Sequence, residues 1–218
     1  MKDLVIVGAG GHGREVLQLV RDINAVSPQW NVLGFVDDAW TAPRELAGVP
    51  VLGRPDWLRG RDCAVTVAIG APAVRRKVVQ RLMAEGVCDF ATLVHPAAYV
   101  GARVKIGIGS VLAVSAVVTC DVLIGEHVLI NTAAVASHDC QLADWVTLAP
   151  RATLCGAVKL AEGAEVCAAA TVLQGLEVAA WARVGGGACV IGPVGANETV
   201  VGVPASCVRV RDTNWQDA

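Results

Sequence analysis

From Val94 to Val190 the chain counts in sixes. Every sixth residue over that span is apolar: Val94, Val100, Ile106, Leu112, Val118, Ile124, Ile130, Ala136, Leu142, Leu148, Leu154, Leu160, Val166, Val172, Val178, Val184 and Val190. Sixteen of these seventeen are Val, Ile or Leu, and the register never slips. Four places after each comes a small or aliphatic residue, as at Ala98, Val104, Ser110 and Ala116. A helix repeats every 3.6 residues and a strand every 2, so neither element alone gives this period. A repeat of six sustained over about a hundred residues marks a parallel β-helix. One large aliphatic of each hexad points inward, a small side chain fits near a corner, and the rest turn outward. Three hexads make one triangular coil of 18 residues, and coils stack at roughly the 4.8 Å strand spacing.

The repeat accounts for a hydrophobic fraction of 54%, which would otherwise suggest a membrane protein. The apolar runs are short or broken by charges, and none predicts a spanning helix. A net charge of −2 without a basic run argues against nucleic acid as a partner. The start, MKDLVIVGAGG, enters a strand at once and lacks a secretory cleavage pattern. Eight cysteines are scattered without a Cys-x-x-Cys pair, and several, such as Cys140, Cys155 and Cys167, fall at hexad positions expected to be small and inward. They read as reduced core residues of a cytoplasmic protein.

Residues 1–93 precede the repeat and read as a small Rossmann-like α/β domain; residues 94–218 hold the coil and a tail. Leu4 to Val7 is a predicted strand, followed by Gly8-Ala9-Gly10-Gly11-His12-Gly13 and a helical run from Arg14. That is G-x-G-x-x-G between strand and helix, where backbone N–H groups at a helix N-terminus can approach a phosphate. A second strand, Val32 to Val36, ends in Asp37-Asp38, near where a ribose-binding acid would sit. Further strands are predicted at Val49 to Leu52 and Ala64 to Ile69, with an amphipathic helix from Ala73 to Glu85. The domain is short for two mononucleotide halves, and nothing downstream resembles a dehydrogenase substrate domain. NAD is therefore not the expected ligand, and the nucleotide part of a nucleotide sugar is.

One hexad stands apart. Ala136-Ser137-His138-Asp139-Cys140-Gln141 puts Ala at the inward place and sets His beside Asp. One coil on from His138 lies Gly156, expected to leave room for a substrate at the imidazole. A second column, Thr132, Pro150, Ala168 and Gly186, narrows upward as a groove for a slim linear ligand would. Asn131, at a small position, is expected to satisfy a corner. Of the other histidines, His127 is expected in solvent, His95 in a structural role at the domain junction, and His12 in contact with ligand. Three zinc-binding histidines cannot be assembled from these, so no metal is expected.

VGAGGHG at the start, FVDD, AIGAPAVRRKV, INTAAVASHDC and the closing VVGVPA together resemble bacterial nucleotide-sugar N-acetyltransferases and sialic acid O-acetyltransferases. These join a small Rossmann-like domain to a hexapeptide-repeat, left-handed β-helix. The resemblance implies acetyl-CoA as cosubstrate and transfer to the C4 amine of a nucleotide-linked 4-amino-4,6-dideoxy sugar. A sugar hydroxyl, as in sialic acid O-acetylation, is the alternative acceptor. It implies His138 as general base with Asp139 beside it. Gly10, Gly11, His12, Asp37 and Asp38 would hold the nucleotide sugar, with Gly70 and Arg75 as further candidates. Positions matching acetyl-CoA contacts are Thr147, Ala168 and Gly186, although some members carry His where this chain has Thr147. Acetyl-CoA would lie between subunits of a homotrimer, which fits outward apolar residues such as Val114, Leu129 and Leu173.

Overall fold

The computed structural model describes residues 1–217 and contains the two expected parts. In the first, β1 (Lys2–Val7), β2 (Trp30–Val36), β4 (Val49–Gly53) and β5 (Ala64–Val67) form a parallel sheet; β3 (Arg44–Leu46) adds an antiparallel edge. The strand order is β3-β4-β2-β1-β5. Alternation along a strand decides which helix each residue meets. Leu4 and Ile6 of β1 pack with α1 (Gly11–Val26), whereas Val5 and Val7 pack with α2 (Pro72–Ala84). β3 was not legible in the sequence, because a three-residue edge strand carries too short a pattern.

The second part is a parallel β-helix. Its strands are two residues long and pair with residues 18 away, as in Leu129↔Thr147 and Leu123↔Gln141. The inward positions from Leu112 to Val190 are at most 5% exposed, and the small positions, such as Ala116, Ala134, Ala152 and Ala170, are sealed. The first coil is the exception, with Val100 at 37% and Val94 and Ile106 partly exposed, because it has no coil beneath it. Ala136 keeps its inward place at 0%, between Val118 and Leu154, so the hexad around His138 does not break the core. Cys140 is inward as expected, but Cys155 and Cys167 are partly exposed, since each follows the inward residue onto the corner.

The corners carry a second period of six. From Arg103 to Gly187, fifteen successive sixth residues have φ between 53° and 71°. A left-handed residue costs roughly 1–2 kcal/mol when it is not Gly. The coil meets that cost because each corner from Asp121 onward hands its amide to the carbonyl of the neighbouring coil, as Asp139 N–H does to Cys120 and Ala157 N–H to His138.

Three faces result. The charged face shows Lys105, Leu123, Gln141, Lys159 and Glu177. The apolar face shows Tyr99, Val117, Val135, Thr153, Thr171 and Cys189. The docking face begins at Leu93–Val94, and its outward residues Leu93, Val111 and Leu129 share one core with α1. Leu129 is thus outward on the coil yet only 3% exposed.

His127 is likewise buried rather than solvated, at 4% exposure. Its ring stacks on Trp145, one coil on, with centroids 4.7 Å apart and 2° between planes, and Phe90 meets its edge at 4.9 Å. Gly109, one coil back, leaves the room the ring occupies. Burial, and then the Arg75 cation, push the His127 pKa from its ordinary 6.5 down to about 4. An unfolded histidine takes up a proton first as pH falls, so the stability His127 confers is complete above about pH 6.5 and is lost as pH drops towards 4. The loss amounts to about 3 kcal/mol at full protonation. Thermal melts of wild type and His127→Phe should therefore diverge between pH 7 and 4.5, with the wild type losing more.

Candidate active site

The sharp strand-to-helix turn is built by two glycines. Gly8 sits at φ +105°, and a Cβ at Gly13 would collide with the Gly8 carbonyl. Gly10 has nothing within 4 Å of where a Cβ would be, and Gly11 has only the Arg14 guanidinium at 3.9 Å. These two therefore line open space, a cavity of about 320 Å³ that also takes in His12, Asp37, Asp38, Pro55, Ile69 and Val78. α1 starts at Gly11 with no side-chain cap and no acid in its first turn. Its first N–H groups are thus left for a ligand, and an anion suits them best.

The two aspartates differ in their partners. The Asp37 carboxylate accepts from the amides of Ala9 at 2.6 Å and Ala39 at 2.8 Å, so it braces the glycine loop. Asp38 stays half exposed and pairs with Arg81 at 2.9 Å at the cavity rim.

His12 lines this cavity and a second one of about 220 Å³ between α1 and the coil. Its Nδ1 lies 2.9 Å from Glu15. The second cavity has apolar walls, among them Val16, Leu19, Val111 and Val114, and ends at Asn131 and Thr132. His95 bounds it too, held by Asp22 at 3.0 Å, which agrees with a structural role. Asn131 accepts the Thr132 amide at 2.7 Å, as expected of a corner residue. Thr132 is the foot of the exposed column continued by Pro150, Ala168 and Gly186. The two cavities share His12, and the second shares Thr132 with this exposed column.

His138 lies on a different corner. Its Nδ1 is 2.8 Å from an Asp139 carboxylate oxygen, and both side chains are 62% exposed. Asp139 occupies the left-handed position, φ 62°, which Asp tolerates better than most residues, and the turn folds its carboxylate back to the ring. With Nδ1 facing a carboxylate, the assigned tautomer carries its proton there, leaving the Nε2 lone pair open. Gly156 does not hold space for substrate as expected. The imidazole itself lies over it, with Cε1 and Nε2 2.5 Å from where a Cβ would be.

Burial corrects two of the sequence-expected contacts, Arg75 and Thr147, whereas Gly70 stays partly exposed. Arg75 is 3% exposed and donates to carbonyls of Ile69, Gly70, His127, Trp145 and Val146 and to the Thr147 hydroxyl, so it does not reach the cavity. Thr147 is 4% exposed and donates to the Gly70 carbonyl at 3.0 Å, so it is not on the coil groove. Gly70 serves these two, and its neighbour Ile69 lines the cavity instead. Sequence reading missed this junction, although one signal was available: His127, Trp145 and Trp181 share a corner column at steps of eighteen and thirty-six residues. Ala168 and Gly186 remain exposed where expected.

The fit of His138 on Gly156 is testable. Gly156→Ala would leave the coil core and corner φ values untouched but push the imidazole off its place. We expect a melting temperature within a few degrees of wild type and a turnover lower by about tenfold or more, because misplacing a reacting group is costly. Unchanged turnover would remove Gly156 from the site.

Comparison with known proteins bears on this geometry. Residues 3–82 match the family model described as the PglD N-terminal domain. The GDP-perosamine N-acetyltransferase of Escherichia coli O157:H7 is 31% identical over 156 residues, 70% of each chain. A histidine-to-asparagine mutant of the Caulobacter crescentus perosamine N-acetyltransferase, solved in complex with CoA and GDP-perosamine, superposes with a TM-score of 0.87 at 29% identity, over 96% of this chain and 98% of that one. The acetyltransferase domain of PglB from Neisseria gonorrhoeae gives 0.87 at 30% identity, over 95% and 100%. On its sequence and its whole fold, the chain belongs to the nucleotide-sugar N-acetyltransferase family.

Proposed function

We propose that this protein transfers the acetyl group of acetyl-CoA to the C4 amine of a nucleotide-linked 4-amino-4,6-dideoxy sugar, with His138 as general base. The observation that carries the reading is the His138–Asp139 pair, which leaves Nε2 free on an exposed corner. The relatives named N-acetyltransferases, and the neighbour holding CoA and GDP-perosamine, support the class of both substrates. The diphosphate sits at the uncapped start of α1, over Gly10 and Gly11, with His12 and Asp38 around it. Acetyl-CoA follows the column through Ala168 and Gly186.

The amine nitrogen attacks the thioester carbonyl carbon, forming the C–N bond, and the C=O pair moves onto oxygen. His138 Nε2 takes the proton the nitrogen sheds, and Asp139 stabilises the imidazolium through Nδ1–H. Collapse of the tetrahedral species expels CoA as thiolate, which recovers a proton from His138. A backbone N–H facing the oxyanion stabilises the intermediate. No covalent enzyme intermediate is needed.

His138→Asn should keep the coil intact and lower kcat by about 10²–10⁴-fold with little change in acetyl-CoA affinity. Asp139→Asn, which perturbs the base without removing it, should cost less. Wild-type turnover by His138→Asn across pH would assign the base elsewhere.

Within one chain, His138 and the cavities that share His12 stand at two different corners, one on each side of the apolar face. That face, from Tyr99 to Cys189, is uncovered in a single chain. Packing it around a three-fold axis brings the His138 corner of one subunit to the Asn131–Thr132 corner of the next and buries the exposed Tyr99 and half-buried Val117 and Val135. We propose a cyclic homotrimer with its sites between subunits. Sedimentation should give a trimer at micromolar concentration, and a fully active monomer would refute it.

A further inference from the structure

Arg75 is the buried cation the chemistry above does not use, and no carboxylate among the described residues pairs with it. Burial lowers its pKa to about 10, so it remains charged at neutral pH. Its six hydrogen bonds all go to neutral acceptors. Nε reaches the His127 carbonyl at 2.9 Å. Nη1 reaches the carbonyls of Ile69 at 2.8 Å and Gly70 at 2.9 Å. Nη2 reaches Trp145 at 2.7 Å, Val146 at 3.2 Å and the Thr147 hydroxyl at 3.0 Å. One rigid fork thus ties together the loop after β5, the coil containing His127 and the coil above it.

What each segment carries decides the consequence. Ile69, in the loop, and Val78, on the same helix as Arg75, are walls of the glycine-loop cavity. The coil that starts at His127 is the one that carries Asn131, Thr132 and His138; the next carries Pro150 and Gly156. Neither pocket contains Arg75 itself. A planar guanidinium with five donors in fixed directions sets a distance and an angle, which an ammonium on a flexible stem does not. We infer that Arg75 is a positioning residue for acetyl transfer: it fixes the height of the nucleotide cavity along the coil, and so where the acceptor amine arrives. The inference rests on the proposed function, because it presumes that the acceptor is anchored by its nucleotide in that cavity.

The test is Arg75→Lys, which keeps the charge and loses the fork, assayed well below its melting temperature with whichever nucleotide-linked 4-amino sugar the wild type acetylates. Calorimetric dissociation constants for CoA and for the matching nucleoside diphosphate should stay within about threefold, because each site lies within one part of the molecule. At saturating substrates kcat should fall by about tenfold or more, since a displacement near 1 Å can cost ~10² in rate. The pH profile of kcat should keep its shape, which separates positioning from loss of the base. Amide exchange should speed up at His127 and Trp145, whose N–H groups bond the neighbouring coil beside the fork. Thr147→Val, nearly isosteric, removes one acceptor of Arg75 and one donor to Gly70, and should lower kcat in the same direction by a smaller factor; it serves also if Arg75→Lys does not fold. Wild-type kcat in either folded variant, with only the melting temperature reduced, would overturn the inference. So would loss of nucleoside diphosphate binding with kcat unchanged at saturation, which would make Arg75 a builder of the cavity. If the wild type acetylates no nucleotide amino sugar, it is the proposed function that fails.

Discussion

The structure depends on backbone hydrogen bonding between coils eighteen residues apart. Strands of two residues cannot hold themselves together, and each gains its partners only from the coils above and below, as Leu129 does from Val111 and Thr147. That requirement forbids a slip. One residue inserted into a hexad would turn an inward Leu or Val outward and break the ladder at once. It also explains how fifteen left-handed corners, eleven of them not glycine, are accommodated: from Asp121 onward each hands its amide to a carbonyl of the neighbouring coil. A scaffold so determined can carry a polar side chain on any corner at little risk to its core. His138 is therefore free to be half exposed with its carboxylate beside it.

The small α/β domain is not an appendage to this scaffold. α1 shares one core with Leu93, Val111 and Leu129, so the helix that offers its N-terminus to an anion is packed directly on the coil. On the other side, the stacked His127 and Trp145 rings and the Arg75 fork close the junction. Apolar contact there supplies the area, and the guanidinium supplies direction. A buried cation with only neutral partners is costly to desolvate, and its benefit lies in specifying one arrangement of two rigid parts.

The site inherits its form from that arrangement. Each ingredient is ordinary: an uncapped helix start, an aspartate committed to a loop, an imidazole seated on a glycine. Their chemistry comes from adjacency across surfaces. The glycine-loop cavity and the cavity ending at Thr132 share His12 within a single chain, whereas the imidazole stands on the far side of the apolar face. A second copy supplies the missing juxtaposition in the proposed assembly, which makes catalysis conditional on oligomerisation rather than merely stabilised by it.

The hexad period alone determined the β-helix, its core residues and the eighteen-residue stacking, because a sealed core with a strict geometric repeat writes itself into sequence as a strict repeat. The G-x-G-x-x-G turn and the adjacent His138 and Asp139 were legible for a similar reason: each is local, a matter of a few consecutive residues. Which outward residues stay outward was not legible. Leu129, His127, Thr147 and Arg75 all have the sequence character of surface or ligand-facing positions, and the docking of a second domain buried them. That docking joins residues such as Arg75 and Trp145, seventy positions apart, through backbone carbonyls, which every residue possesses and which leave no mark in the sequence. Only the tertiary structure could decide it.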